Sequence, residues 1–194
     1  QERLLESEEI MLKAWTTENY EHKGKFWHIK LPKLRPVPYT KPHPTILRAS
    51  STENSMVDLA KEGRPFMMNV QSDEVTQHRM DLYRATLAEA GYDDGIIAKN
   101  VDQSWVWRNI FVAETDAEAE RIGVPAFQRQ HEFRAEMRER VYKEQGIRLQ
   151  EEKTGIARNS PAHGLIYGSP ATVAERLAKI DKIGVGGMMM AFRL

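Results

Sequence analysis

A short hydroxyl-rich segment is the part of this sequence best suited to bind an anion. It reads ASSTENS from Ala49 to Ser55 and lies between a strand-like apolar segment and a helical one. The N–H groups of a first helical turn have no partner inside the helix and carry partial positive charge, which favours a phosphate. The hydroxyls of Ser51, Thr52 and Ser55 would add donors. Serine and threonine are also favoured at this position as ordinary helix caps, which is the alternative interpretation.

Histidines and tryptophans give weaker indications of chemistry. The histidines are His22, His28, His43, His78, His131 and His163. No two of them have the i, i+4 spacing of a helical metal site, and the chain has no cysteine, so no metal site is predicted. Trp105 and Trp107 alternate with Val106 and therefore face the same side of a strand. Packing in the core or against helices is the first interpretation of this pair, and an aromatic wall beside a substrate is the second.

Strand-like and helical segments alternate along the chain and would position these residues. Short apolar segments predict strands at 45–50, 65–70, 104–113 and 186–192. The helical segments between them include a long one that begins at the Thr115–Glu118 capping box and should kink or break at Pro125. Strands separated by helices form parallel sheets, and runs that are apolar on both faces fit strands covered on each side. The pattern predicts an α/β fold, either a small doubly wound sheet or half of a (β/α)8 barrel.

Three other segments carry local expectations. Residues 2–16 predict an amphipathic helix, and residues 20–34 predict a short hairpin or an ordered loop. Asp93, Asp94 and Gly95 read as a turn without the later ligands of a calcium loop. Residues 146–168 are polar and rich in glycine, and they exceed ordinary loop length, so they predict a mobile lid or a disordered segment.

The composition argues against several classes of function. Lysine plus arginine and aspartate plus glutamate each number 28, so the formal net charge is zero. A balanced chain lacks the basic surface that nucleic acids and anionic membranes attract. No segment approaches the run of about 20 apolar residues that spans a bilayer, no signal-peptide pattern opens the chain, and no disulfide can form. We therefore expect a cytoplasmic protein that binds neither nucleic acid nor membrane.

Both ends of the sequence look interrupted. The chain opens with Gln1 directly before a helical segment, and it stops directly after the apolar segment 186–192. These ends favour a fragment of a longer protein. A deliberately shortened chain from which a tag was removed is the alternative.

Three stretches, in their order along the chain, resemble parts of one enzyme family. The first is YEHKGKFWHI followed by LPKLRPVPYTKPHPTILRAS, the second is RNIFVAETDAEAE, and the third is YGSPATVAERLAKIDKIGVGGMMMAF. They are similar to the entry into barrel strand five, to strand seven with its capped helix, and to the last helix and strand of the bacterial luciferase-like flavin-dependent monooxygenases. The resemblance implies that residues 1–194 form a single luciferase-like domain fragment, the C-terminal half (strands five to eight) of a (β/α)8 TIM barrel.

The resemblance also implies a cofactor, a reaction and site residues. Members of the family use O2 and reduced FMN, usually supplied by a flavin reductase, to oxidise an organic substrate. Matching the family's strand-five turn places FMN phosphate contacts at Ser51, Thr52 and Ser55, with Ala49 in the same cofactor-binding turn. Matching by the Gly-x-Pro motif before strand 65–70 places a flavin-ring contact at Val70. The family's acid–base residues lie mainly on strands one to four, so the catalytic residues are unknown and none is named.

Three functions stay open on the sequence alone. The first is a fragment of an FMN-dependent monooxygenase that holds the phosphate site and is inactive by itself. The second is a deazaflavin-dependent oxidoreductase, since some relatives use a deazaflavin and only transfer hydride. The third is a natural short relative that binds flavin without turnover.

A half-barrel also predicts self-association. Strands five and eight would each lack a neighbour, which leaves two unpaired backbone edges. Apolar side chains such as Met67, Val70, Ile110 and Met190 would lose the opposite barrel wall, and exposed patches of that kind are uncommon on a monomer. We therefore expect a homo-oligomer.

Overall fold

The computed structural model describes residues 2–147 and 159–192. The chain divides into two compact units, Gln1–Ile46 and Leu47–Leu194. The predicted turn, the strands and the flavin-ring contact all belong to the second unit. Among the described residues, no helix combines the length and the apolar character needed to cross a membrane.

The first unit contains helix α1 and a small antiparallel hairpin. Helix α1 is Glu2–Thr16, and strands β1 (Tyr20–Lys23) and β2 (His28–Leu31) pair antiparallel, as the hairpin prediction required. The Glu6 carboxylate ties helix to hairpin, because it accepts hydrogen bonds from the backbone N–H of Trp27 at 3.0 Å and from that of Phe26 at 3.1 Å. A Cβ at Gly24 would overlap this carboxylate, which explains why the loop carries glycine there.

The second unit is built on a parallel sheet with helices between its strands. The strands are β3 (Arg48–Ser50), β4 (Phe66–Met68), β5 (Trp105–Val112), β6 (Leu165–Gly168) and β7 (Gly187–Ala191). The helices are α2 (Glu53–Lys61), α3 (Asp73–Glu89), α4 (Asp94–Asp102), α5 (Asp116–Glu144), α6 (Pro161–Gly164) and α7 (Pro170–Asp181). Strand β3 pairs with β4, β4 with β5 and β5 with β7, all parallel. The four predicted strands and their spatial order are therefore confirmed.

The register separates a helix-covered face of the sheet from an open face. Ser50, Met68, Val106 and Met188 lie in one row of paired residues, and the first three are buried. They face the apolar cluster formed with α2 and α3, which includes Leu59. The neighbouring row, Ala49, Met67, Trp105 and Gly187, points to the other face because side chains alternate along a strand. The predicted site residue Ala49 therefore lies on the open face.

Only some of the apolar side chains that were predicted to be exposed by the absence of an opposite barrel wall are exposed in the structure. Met190 is exposed, with 45 % of its surface accessible. Ile110 is buried because its strand position points it into the helix-covered cluster. Val70 is buried as well and lies beyond the end of β4.

Part of the segment predicted as a lid is regular structure. Leu165–Gly168 form strand β6, which pairs parallel with the second half of β5, and α6 leads directly into it. The prediction for 159–168 is therefore wrong, because a four-residue strand needs a neighbour that the sequence does not reveal. Residues 148–158, the remainder of the predicted lid beyond Ile147, lie outside the described residues.

Two local predictions about helices also differ from the structure. Helix α5 continues through Pro125, so the predicted break does not occur, although an interior proline costs a helix about 3 kcal/mol. The helix buries residues on both sides of the proline, Ala119 and Gly123 before it and Phe127 after it, and this packing stabilises the helix. The predicted turn at Asp93 is a helix start, in which the Asp93 carboxylate accepts from the N–H of Ile96 at 2.9 Å and opens α4.

Candidate functional site

The turn between β3 and α2 is shaped by its own hydroxyl groups. The hydroxyl of Ser50 donates to the carbonyl of Thr52 at 3.0 Å, and Thr52 is the extended N-cap residue of α2. The Thr52 hydroxyl oxygen accepts from the N–H of Ser55 at 3.3 Å. The N–H groups of Glu53 and Asn54 belong to the first helical turn and have no intrahelical acceptor. Ser51 and Thr52 are exposed and Ser55 is half-buried, so the turn is accessible from solvent.

Two basic side chains from α3 lie beside this turn, and the sequence did not indicate them. The Glu53 carboxylate is 3.7 Å from Nε2 of His78 and 3.9 Å from Nε of Arg79. Only 12 % of the Arg79 side chain is exposed. Their positions depend on how α2 and α3 pack, which no local motif encodes. Both side chains face the Glu53 carboxylate, whose negative charge offsets the positive charge that Arg79 brings to this helix start.

The end of β4 lies directly beside the same turn. The N–H of Asn69 points to the carbonyl of Ser50 at 3.4 Å, which joins the segments that follow β3 and β4. The next residue, Val70, is 6 % exposed. Parallel strands bring their carboxyl ends to one edge, where ligands of such sheets bind. The segment after β4, which carries the predicted ring contact, is therefore next to the segment after β3, which carries the predicted phosphate turn.

A cavity of about 300 Å³ opens at this edge of the sheet. It is lined by Asn69, Val70, Trp107, Asn109, His131, Arg134, Ala135, Arg138 and Asn159. Of the predicted site residues, Val70 lines it, whereas Ala49, Ser51, Thr52 and Ser55 do not. The cavity and the hydroxyl turn are thus adjacent but separate parts of the edge.

Trp107 forms an aromatic wall of this cavity. It lies on the open face of β5, two residues from Trp105, which is 42 % exposed. Of the pair, Trp107 lines the cavity and Trp105 does not, whereas Val106 and Ile110 point to the opposite face. The indole Nε1 of Trp107 is buried and has no hydrogen-bond partner among the residues that the structure describes. A buried indole N–H is a donor that a bound ligand can satisfy.

The opposite wall of the cavity comes from one face of α5. His131, Arg134, Ala135 and Arg138 follow the i, i+3, i+4, i+7 spacing that places side chains on one helix face. In the sequence, the charge-rich stretch 128–153 is typical of a solvated helix face and loop. The sequence therefore does not predict that this face lines a cavity. The sequence does show two arginines four residues apart, Arg134 and Arg138. They reach the cavity only because α5 continues beyond Pro125, which the sequence does not predict.

A second helix N-terminus at this edge already holds a carboxylate. Asp116 accepts from the N–H of Ser169 at 2.6 Å and from the hydroxyl of Thr172 at 2.9 Å. These two bonds hold the pKa of Asp116 below its ordinary value. Asp116 therefore occupies the start of α7 and fixes α5 against it. At the start of α2, Thr52 is the cap, and the Glu53 carboxylate faces His78 and Arg79.

Among the residues that the structure describes, no group of three or more histidine, aspartate or glutamate side chains is arranged to hold a metal ion. His163 lies exposed at the end of α6 and does not line the cavity.

Comparison with known proteins gives a family match and a shared fold. The family described as luciferase-like monooxygenase matches residues 1–186. Among solved structures, the chain is similar to monooxygenase RslO1 from Streptomyces bottropensis, with 21 % identity and a TM-score of 0.69 over 98 % of this chain and 53 % of that one. No match was found among curated proteins.

Two further solved structures are of proteins whose names mention different cofactors, FMN and coenzyme F420. The oxygenating constituent of 3,6-diketocamphane monooxygenase from Pseudomonas putida, in complex with FMN, is 21 % identical with a TM-score of 0.60, over 96 % of this chain and 55 % of that one. The coenzyme F420-dependent tetrahydromethanopterin reductase from Methanopyrus kandleri is 13 % identical with a TM-score of 0.62, over 95 % and 55 %. These likenesses concern the fold, and the chain spans about half the length of each.

Proposed function

Because this chain belongs to the luciferase-like monooxygenase family, we propose that it holds the FMN of a monooxygenase that oxidises an organic substrate with O2. The observation that carries this proposal is the accessible β3–α2 turn, with its hydroxyls and free N–H groups, beside a cavity at the carboxyl edge of a parallel sheet. The sheet would form half of a closed (β/α)8 barrel, whose active sites lie at this edge.

The β3–α2 turn fits the phosphate of FMN. Ser51, Thr52 and Ser55 would donate hydroxyl bonds to it, and the N–H groups of Glu53 and Asn54 would donate along the helix axis. Thr52 can do this while capping α2, because a hydroxyl accepts and donates at once.

The isoalloxazine ring would extend from that turn across the open face of the sheet. Ala49 is small and lies on this face, so it leaves room for the ring, and Val70 would pack against the ring at the end of β4. Bound reduced flavin supplies the electrons that activate O2, and a separate flavin reductase would supply the reduced flavin. The residues of this chain bind and orient the cofactor and shield one side of it from water.

A deazaflavin-dependent oxidoreductase is the second candidate, and a likeness to a reductase that depends on such a coenzyme favours it. A non-catalytic flavin-binding protein is the third. Exposed apolar side chains on β7, Met189 and Met190, support the further proposal that the chain forms a homo-oligomer.

A cofactor titration tests the proposed function. The full chain is titrated with FMN and with the deazaflavin coenzyme, and quenching of the cofactor fluorescence is followed. FMN should bind about tenfold more tightly, because its terminal phosphate can take more charge-assisted bonds from the turn. The reverse order would favour the deazaflavin oxidoreductase, and the absence of binding by either would contradict the proposal.

A further inference from the structure

The cavity beside the hydroxyl turn has a cationic lining. Two of its side chains are guanidinium groups, Arg134 and Arg138, and among the residues that the structure describes no aspartate or glutamate lines it. The whole chain has equal numbers of acidic and basic residues, so this separation of charge is local. A concave surface of one sign concentrates ligands of the opposite sign. The lining therefore favours a negatively charged ligand.

Arg134 and Arg138 lie on the face of α5 that lines the cavity. Arg134 and Arg138 are four residues apart, where like charges repel each other on a helix surface. The glutamates of the same stretch, Glu132, Glu136 and Glu139, do not line the cavity. Arg134 forms no ion pair with any residue that the structure describes. An anion bound beside Arg134 would give its guanidinium group a partner and would weaken the repulsion from Arg138.

The other wall of the cavity is suited to the body of an organic molecule. Trp107 offers the face of its indole and Val70 an apolar side chain. The buried Nε1 of Trp107, which lacks a partner within the described residues, can donate one hydrogen bond at this wall. The cavity thus combines a cationic side with an aromatic and apolar side.

We propose that this cavity binds an organic acid, with its carboxylate or sulfonate head against Arg134 and Arg138 and its apolar or aromatic body against Trp107. That this acid is the substrate rests on the proposed flavin function, whereas the binding site itself does not. Arginine is suited to this task because its planar fork matches an oxyanion and keeps its charge. The site is separate from the FMN phosphate turn, since none of the turn's hydroxyl residues lines it.

Calorimetric titration of the full chain with matched probes tests this proposal. Benzoate and hexanesulfonate are compared with benzyl alcohol and hexanol, which have the same bodies without the charge. Both anions should bind about tenfold or more tightly than the alcohols, and their affinity should fall as salt is added. Alcohols that bind as tightly as the acids would overturn the proposal.

Charge-removing variants assign the site. The R134Q/R138Q double variant should weaken benzoate binding about a hundredfold, and R134Q alone about tenfold, because each loses a charged hydrogen bond. R140Q is the matched control, since Arg140 lies on the same helix, pairs with Glu144 and does not line the cavity. Unchanged benzoate affinity in R134Q would overturn the proposal even if the double variant does not fold.

Parallel FMN titrations separate this proposal from the flavin proposal. R134Q should leave FMN affinity unchanged. A loss of FMN affinity without a loss of benzoate affinity would show that Arg134 serves the cofactor, and would overturn the organic-acid site. Benzoate binding by a chain that binds no FMN would support the organic-acid site and contradict the flavin function.

Discussion

Replacement of Ser51, Thr52 and Ser55 by alanine together is expected to weaken FMN binding about a hundredfold. Each hydroxyl would give the phosphate one hydrogen bond of about 1 kcal/mol, and three such losses amount to about two orders of magnitude in affinity. Fluorescence titration of FMN on the triple variant measures the change. The remaining N–H groups at the start of α2 would account for residual binding.

The matched control for this prediction is T115A. Thr115 caps α5 as Thr52 caps α2, and its hydroxyl accepts from the N–H of Glu118 at 3.2 Å. Loss of either cap should lower stability by about 1 kcal/mol, but only the change at the β3–α2 turn should lower FMN affinity. Unchanged FMN affinity in the triple variant, or an equal loss in T115A, would refute the phosphate assignment.

Arg108→Ala is expected to destabilise the second unit by about 3 kcal/mol. Arg108 lies on the helix-covered face of β5 and is 1 % exposed. It donates to the hydroxyl of Thr76 at 2.8 Å and to the carbonyl of Trp107 at 3.0 Å, and its Nη2 is 3.5 Å from the Asp73 carboxylate. Burial lowers the pKa of its guanidinium, and Asp73 opposes that shift. Alanine would remove these bonds and leave a void between β5 and α3.

Chemical denaturation of Arg108→Ala and Arg108→Met distinguishes packing from bonding. Methionine fills much of the same volume without charge, and buried ion pairs can often be replaced by apolar side chains at little cost. We therefore expect R108M to lose less than half of what R108A loses. A loss in R108A no larger than that of an exposed variant such as R140A would contradict the assigned role of Arg108.

The sheet was predictable from the sequence because its strands are short apolar runs set between well-marked helix starts. Ser72, Thr115 and Ser169 each cap a helix through a side-chain oxygen, as their sequence contexts indicate. Strand β6 was not predictable, because four residues after α6 carry too little periodicity and depend on pairing with β5.

The candidate site was predictable only where it is local in sequence. The hydroxyl turn from Ala49 to Ser55 combines a strand end with a helix start, and both are visible in one short segment. The cavity instead combines β4, β5 and α5, so Trp107 and Arg134 meet through tertiary packing. Single-sequence reasoning assigned the first to packing and the second to a solvated face, which are the usual roles of such residues.

A comparison of FMN with riboflavin tests most directly whether this chain holds a flavin through the phosphate turn. The two molecules share the isoalloxazine ring and the ribityl chain and differ only in the phosphate. In a fluorescence titration of the full chain, FMN should bind more than about a hundredfold more tightly than riboflavin, because riboflavin lacks both the hydroxyl and the N–H bonds to the phosphate, and inorganic phosphate should weaken the binding of FMN but not that of riboflavin. Equal affinity for FMN and riboflavin would contradict the account.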